Sequence, residues 1–116
     1  RCYYKIMSQS LAIVLTTVSN DKEAESLSDL LVKSNYAACV NILPNIRSKY
    51  FWKDKLQITN EVMLMIKTKK DYFKQLEKLI IENHSYQVPE ILCINAADVS
   101  EEYESWVNSN FIAPRK

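Results

Sequence analysis

The chain has 116 residues, 47% of them hydrophobic, enough for one domain with its own core and too few for two. Fifteen Lys+Arg against fourteen Asp+Glu leave a formal charge of +1, which argues against broad nucleic-acid or membrane-surface binding. No apolar run approaches the ~20 residues of a membrane span, and the lack of any glycine excludes glycine-rich phosphate loops, the dinucleotide fingerprint and the nucleophile elbow.

"RCYYKIM" precedes a plausible start at Met7, so residues 1–9 are read as an extension to a single domain spanning 10–113. "LAIVLTTV" (11–18) is apolar on both alternating faces and predicts a central strand. Asn20 with Glu23 three residues on marks a helix start, and Ala24, Leu27, Leu30 and Leu31 carry its stripe to about Tyr36. "AACVNILPNIRSKYFW" (37–52) alternates, with Ala38, Val40, Ile42, Ile46, Tyr50 and Trp52 placed on one side. Pro44 removes a ladder donor and suggests a bulge or an edge. "KDK" turns the chain, and 56–68 alternates back with Leu56, Ile58, Val62, Leu64 and Ile66 on one side, making a long β-hairpin. In the absence of glycine, Asn45 and Asp54 are the residues able to take left-handed backbone.

A second helix runs to Asn83, striped by Tyr72, Phe73, Leu76, Leu79 and Ile80. "EILCINAA" (90–97) reads as a strand that is apolar on both faces. Ser100 caps a last helix with Tyr103, Trp106 and Val107 facing inward. The order β-α-β-β-α-β plus a C-terminal helix predicts an α+β, ferredoxin-like sandwich. Such a fold puts both main helices on one sheet face. The other face carries Met63, Met65 and half of each central strand, so it needs a cover, and a homo-oligomer supplies one.

Cys2, Cys39 and Cys93 are scattered and odd in number, which suits neither a disulfide framework nor a structural zinc site and predicts a reducing, cytoplasmic setting. His84, the single histidine, suits a helix C-terminus as it stands. Pro89 holds Val88 extended and starts the strand at Glu90, so His84 and Glu90 flank a tight connection, and Cys39 opens the hairpin; imidazole, thiolate and carboxylate form a mixed set for zinc or copper, without the spacing bringing them together. A core cysteine is the alternative for Cys39. No orienting third residue or oxyanion donor accompanies a Cys39–His84 pair, so no enzyme is predicted. The lysines from Lys67 to Lys78 read as a solvated helix face, with anion binding as the alternative.

"AACVNILPNIRSKYFWKDKLQ", "EVMLMIKT" and "HSYQVPEIL", in this order and spacing, closely resemble the CutA divalent-cation tolerance family. "LTTVSNDKEAESLSDLLV" and the Tyr103–Trp106 pair extend the resemblance over about residues 10–108. It implies a ferredoxin-like subunit in a homotrimer shaped like PII signalling proteins; the aromatic hairpin tip, which extends beyond the two helices, puts Tyr50 and Trp52 at the interface. It also implies divalent metal ions, copper or zinc, in clefts between subunits, with Cys39 and His84 as ligands, Glu90 beside them and no obligatory cofactor. A PII-like signalling or scaffold module is the alternative, taking a small anionic metabolite or partner protein near Lys67 and Tyr86. The family's usual H-P-Y-E-V-P-E is altered here to Ser85 and Gln87, and two of its usual glycines are replaced by Asn45 and Asp54.

Overall fold

The structure is a computed structural model that describes residues 11–111. The expected extension, 1–9, lies outside them, as do residue 10 and residues 112–113 of the expected domain. Strands β1 (Leu11–Val18), β2 (Cys39–Trp52), β3 (Lys55–Lys69) and β4 (Leu92–Asn95) form one sheet in the order β2-β3-β1-β4. Every neighbouring pair is antiparallel. Helix α1 (Asp21–Lys33) follows β1, α2 (Phe73–Glu82) follows β3 through a 3-10 turn at Lys70–Tyr72, and α3 (Glu101–Ser109) ends the order. This is the ferredoxin-like α+β arrangement.

Alternation along the strands decides the core. Val14 and Val18 of β1 and Leu64 and Ile66 of β3 point to one face, where they meet Leu27 and Leu31 of α1 and Leu76 and Ile80 of α2. Asn20 caps α1 as the sequence requires, its Oδ1 accepting the Glu23 N–H at 2.8 Å. The helix stops at Lys33, short of the expected Tyr36, because Asn35 turns left-handed at φ 70° and breaks the ladder.

The hairpin is as long as predicted, and it gives the chain a 53 Å long axis against 31 and 23 Å. Lys53 and Asp54 both have positive φ, the signature of a two-residue type I′ turn, so the glycine-free turn uses a lysine as well as the expected aspartate. Asn45 at φ 63° sits in the bulge between Leu43 and Ile46, next to Pro44. That bulge corrects the expected facing of β2. Val40 and Ile42 pair with Ile66 and Leu64 on the helix-covered face, whereas Ile46, Tyr50 and Trp52 pair with Glu61, Gln57 and Lys55 on the opposite one. One extra residue flips every side chain that follows it.

Two further expectations change. The strand predicted over 90–97 is reduced to Leu92–Asn95 at a sheet edge, with all its residues exposed. Its apolar composition does not mark a central strand. Ser100 caps α3, and Val107 is buried against Leu11 and Ala38, but Tyr103 and Trp106 are 39% and 48% exposed and stack on each other.

Candidate functional site

The connection from α2 to β4 folds over one end of the sheet and is fixed by three polar contacts. The first is His84. β4 pairs with β1 only from Ala12 to Leu15, so Thr17 lies past its end. His84 Nε2 meets the Thr17 carbonyl there at 2.8 Å, and its Nδ1 lies 3.0 Å from the Tyr86 backbone N. A carbonyl only accepts, so Nε2 carries the proton and Nδ1 accepts from the Tyr86 N–H. The partners assign this tautomer and leave neither nitrogen of the fully buried ring free within one chain.

The second contact joins the loop to α1. Glu23 accepts from the Ser85 backbone N–H and from the Ser85 hydroxyl, each at 2.9 Å. The same carboxylate takes the Ser19 hydroxyl at 2.9 Å and the Ser19 N–H at 3.2 Å. Burial by itself would push this carboxyl up; the hydrogen bonds from Ser85 and Ser19 outweigh it and hold Glu23 below the usual carboxylate range. The departure at Ser85 therefore has a physical role, because proline offers neither donor.

The third contact defines a pocket. Tyr86 donates its hydroxyl to Glu61 Oε2 at 2.7 Å, and Glu61 is only 7% exposed. Burial, then the hydrogen bond and charge of Glu61, push the Tyr86 hydroxyl well above its ordinary range. Around this pair, on the sheet face away from the helices, opens a pocket of about 870 Å³. Its walls come from the hairpin (Tyr50, Trp52, Thr59) and from the loop (Tyr86, Glu90).

The expected site residues divide among three places, with His84 buried against Thr17 and Glu23 as described. Glu90, Tyr86, Tyr50 and Trp52 share the pocket. Cys39 stands elsewhere, opposite Lys67 in the ladder, and close enough to Tyr103 that burial and the Cys39 charge together raise the Tyr103 hydroxyl. Lys67 donates to Asn41. Six positions of β3 separate Lys67 from Glu61, the partner of Tyr86, which is roughly 20 Å of strand. One chain thus does not bring Lys67 to Tyr86, or Cys39 to Glu90. Among the described residues no group of three His, Cys, Asp or Glu side chains gathers for a metal within a chain.

Glu61, Glu23 and Ser85 were missed by sequence reasoning. Glu61 shares a strand face with Met63 and Met65, but Lys55, Gln57, Thr59 and Lys67 make the rest of that face polar, so its carboxylate does not stand out in the sequence. Glu23 was legible as a capping residue, but its bond to a loop 62 positions away was not.

A ferredoxin-like sheet with helices on one face and a hairpin-and-loop pocket on the other defines a small α+β protein. The chain belongs to the CutA1 divalent ion tolerance protein family, whose model matches residues 12–110. It is similar to the divalent-cation tolerance protein CutA of Yersinia pestis, at 34% identity over 86% of this chain and 84% of that one. It is also similar to the chloroplastic protein CutA of Arabidopsis thaliana, at 35% identity over 84% of this chain, and the match covers 54% of that longer protein. Among solved structures, the divalent ion tolerance protein CutA1 of Ehrlichia chaffeensis superposes with a TM-score of 0.86 at 26% identity, over 91% of this chain and 99% of that one. The resemblance read from the motifs is borne out. No helix of the described residues is long and apolar enough to cross a membrane.

Proposed function

We propose that this protein is a homotrimer that binds divalent or soft metal cations, copper and zinc among them, at clefts between its subunits in the cytoplasm. The observation that carries the proposal is the uncovered sheet face. Ile13, Leu15, Met63 and Met65 are half-buried there, and Leu92 and Ile94 are 52% and 48% exposed. A contiguous apolar face of this kind is a surface that associating proteins cover. A second copy of the chain, with Tyr50 and Trp52 in the contact, covers it with the same chemistry.

Membership in a divalent ion tolerance family supports the ligand class. Cys39 and Glu90 stand toward opposite ends of the open face, so an ion shared by them requires two subunits. A thiolate with a carboxylate suits borderline ions such as zinc and copper(II). His84 joins the set by giving up the Tyr86 N–H, and otherwise holds the loop that presents Glu90. The role is binding, without a catalytic step.

Sedimentation equilibrium gives the assembly state, with three subunits expected. Calorimetric titration with Cu(I), Cu(II) and Zn(II) then compares the wild type with the Cys39→Ala/His84→Ala double variant and with Glu90→Gln. Binding is expected to weaken at least tenfold in each variant. Unchanged affinity in the double variant rejects the ligand assignment.

A further inference from the structure

We infer that residues 84–86 form a latch: the loop closes over His84, keeping its imidazole out of reach of any cation, and the Glu23–Ser85 pair sets how often it opens. This rests on the reading of His84 as a metal ligand and adds what controls it. Three consecutive residues are anchored on three different elements. His84 reaches the Thr17 carbonyl of β1, Ser85 donates to Glu23 of α1, and Tyr86 donates to Glu61 of β3. In this closed form neither ring nitrogen has a lone pair to offer. Nε2 presents its proton to Thr17, and Nδ1 accepts from the Tyr86 N–H at 3.0 Å. A cation reaches Nδ1 only after that contact has parted.

The three anchors are unequal. The hydrogen bonds of His84 and Tyr86 are partly buried, whereas both of Ser85's lie exposed to water, where local opening starts. The Tyr86 N–H that occupies Nδ1 belongs to the peptide bond that Ser85 begins, so releasing Ser85 loosens it directly. Glu23, Ser85 and His84 all border the groove between the start of α1 and the end of α2, on the helix side of the sheet. An assembly built on the open face leaves that groove in water, so the latch does not depend on the isolated chain.

A ligand that binds only the open form has its apparent affinity reduced by the fraction open. Weakening the latch therefore tightens cation binding, the reverse of what a lost structural hydrogen bond ordinarily does. Ser19 supplies the internal comparison. Its hydroxyl also meets Glu23 Oε1 at 2.9 Å, but it stands before α1 and outside the loop.

The test is the rate at which diethyl pyrocarbonate acylates His84 in the full chain, whose single histidine makes the signal specific. Ser85→Ala is expected to raise the rate about fivefold, the gain in open form when one hydrogen bond is lost. Ser85→Thr, which keeps both donors, and Ser19→Ala are expected to react like the wild type. Glu23→Gln, a second route to the same loosening, is expected to move the rate in the direction of Ser85→Ala. Zinc titration by calorimetry should tighten in Ser85→Ala by the same factor, and the gain should vanish when both arms carry His84→Ala. Unchanged reactivity in Ser85→Ala, an equal rise in Ser19→Ala, or weaker zinc binding in Ser85→Ala overturns the inference. Zinc bound by the wild type with reactivity unchanged in Ser85→Ala rejects the latch and keeps the metal reading. A rise in reactivity with no zinc bound by any sample keeps the loop latch and rejects the metal reading.

Discussion

The two faces of the sheet are built from the same strands by strict alternation, yet they follow different physics. On one face, Val14, Leu64 and Ile66 are fully buried beneath Leu31, Leu76 and Ile80. The core of that face is filled within the chain. On the other, apolar residues stay partly exposed toward β4, while at the opposite end the 84–90 loop places His84, Tyr86 and Glu90 over the strands. The tightest packing is on the first face, and the pocket that holds Tyr50, Trp52, Tyr86 and Glu90 is on the second.

The contrast is broken most strongly by truncation. Leu64→Ala, on the covered face, is expected to cost about 2–5 kcal/mol in urea unfolding, since the packed helices cannot close the cavity. Ile94→Lys, on the open face, should leave the circular dichroism spectrum unchanged and shift sedimentation toward the monomer. If Ile94→Lys unfolds the chain while leaving the assembly intact, the division of labour between the faces is wrong.

A smaller effect is expected where the loop meets the open face. Tyr86→Phe strips the buried Glu61 carboxylate of its hydroxyl partner and should cost about 1–3 kcal/mol at neutral pH. Because the folded Tyr86 hydroxyl titrates above its unfolded value, its contribution is complete below pH ~10 and is lost as pH rises beyond that. The wild-type advantage over Tyr86→Phe should therefore narrow in alkaline urea titrations; a gap constant to high pH would remove the Glu61 partnership.

The smallest expected effect sharpens the comparison at the rim, where the loop is tied to α1. Ser85→Ala removes one of the hydrogen bonds to Glu23 and should cost about 1 kcal/mol. Glu23 is held below its usual range, so its contribution is present above the ordinary carboxylate pKa and disappears as pH falls through the lowered one. The Ser85→Ala deficit should shrink on acidification, as read from melting temperatures between neutral and acid pH.

Much of this is legible in the sequence. The period-2 runs located β1 and the hairpin, Asn20 and Ser100 marked helix starts, and Asn45 and Asp54 were the residues able to replace glycine at left-handed positions. These are local properties, set by sterics and short-range hydrogen bonding. Motif order and spacing identified the family.

Tertiary structure decided the rest, because each remaining question involved residues far apart in sequence. A single bulge at Pro44–Asn45 put Tyr50 and Trp52 on the open face, and alternation read straight through it misplaces them. The edge position of β4 exposed a strand whose composition suggested burial. His84 is a helix-end residue by sequence, but the Thr17 carbonyl 67 positions earlier sets its tautomer and occupies its ring. Sequence thus determined the elements and the family. Only the packing of distant segments decided which polar atoms are already satisfied, and so which remain to bind anything else.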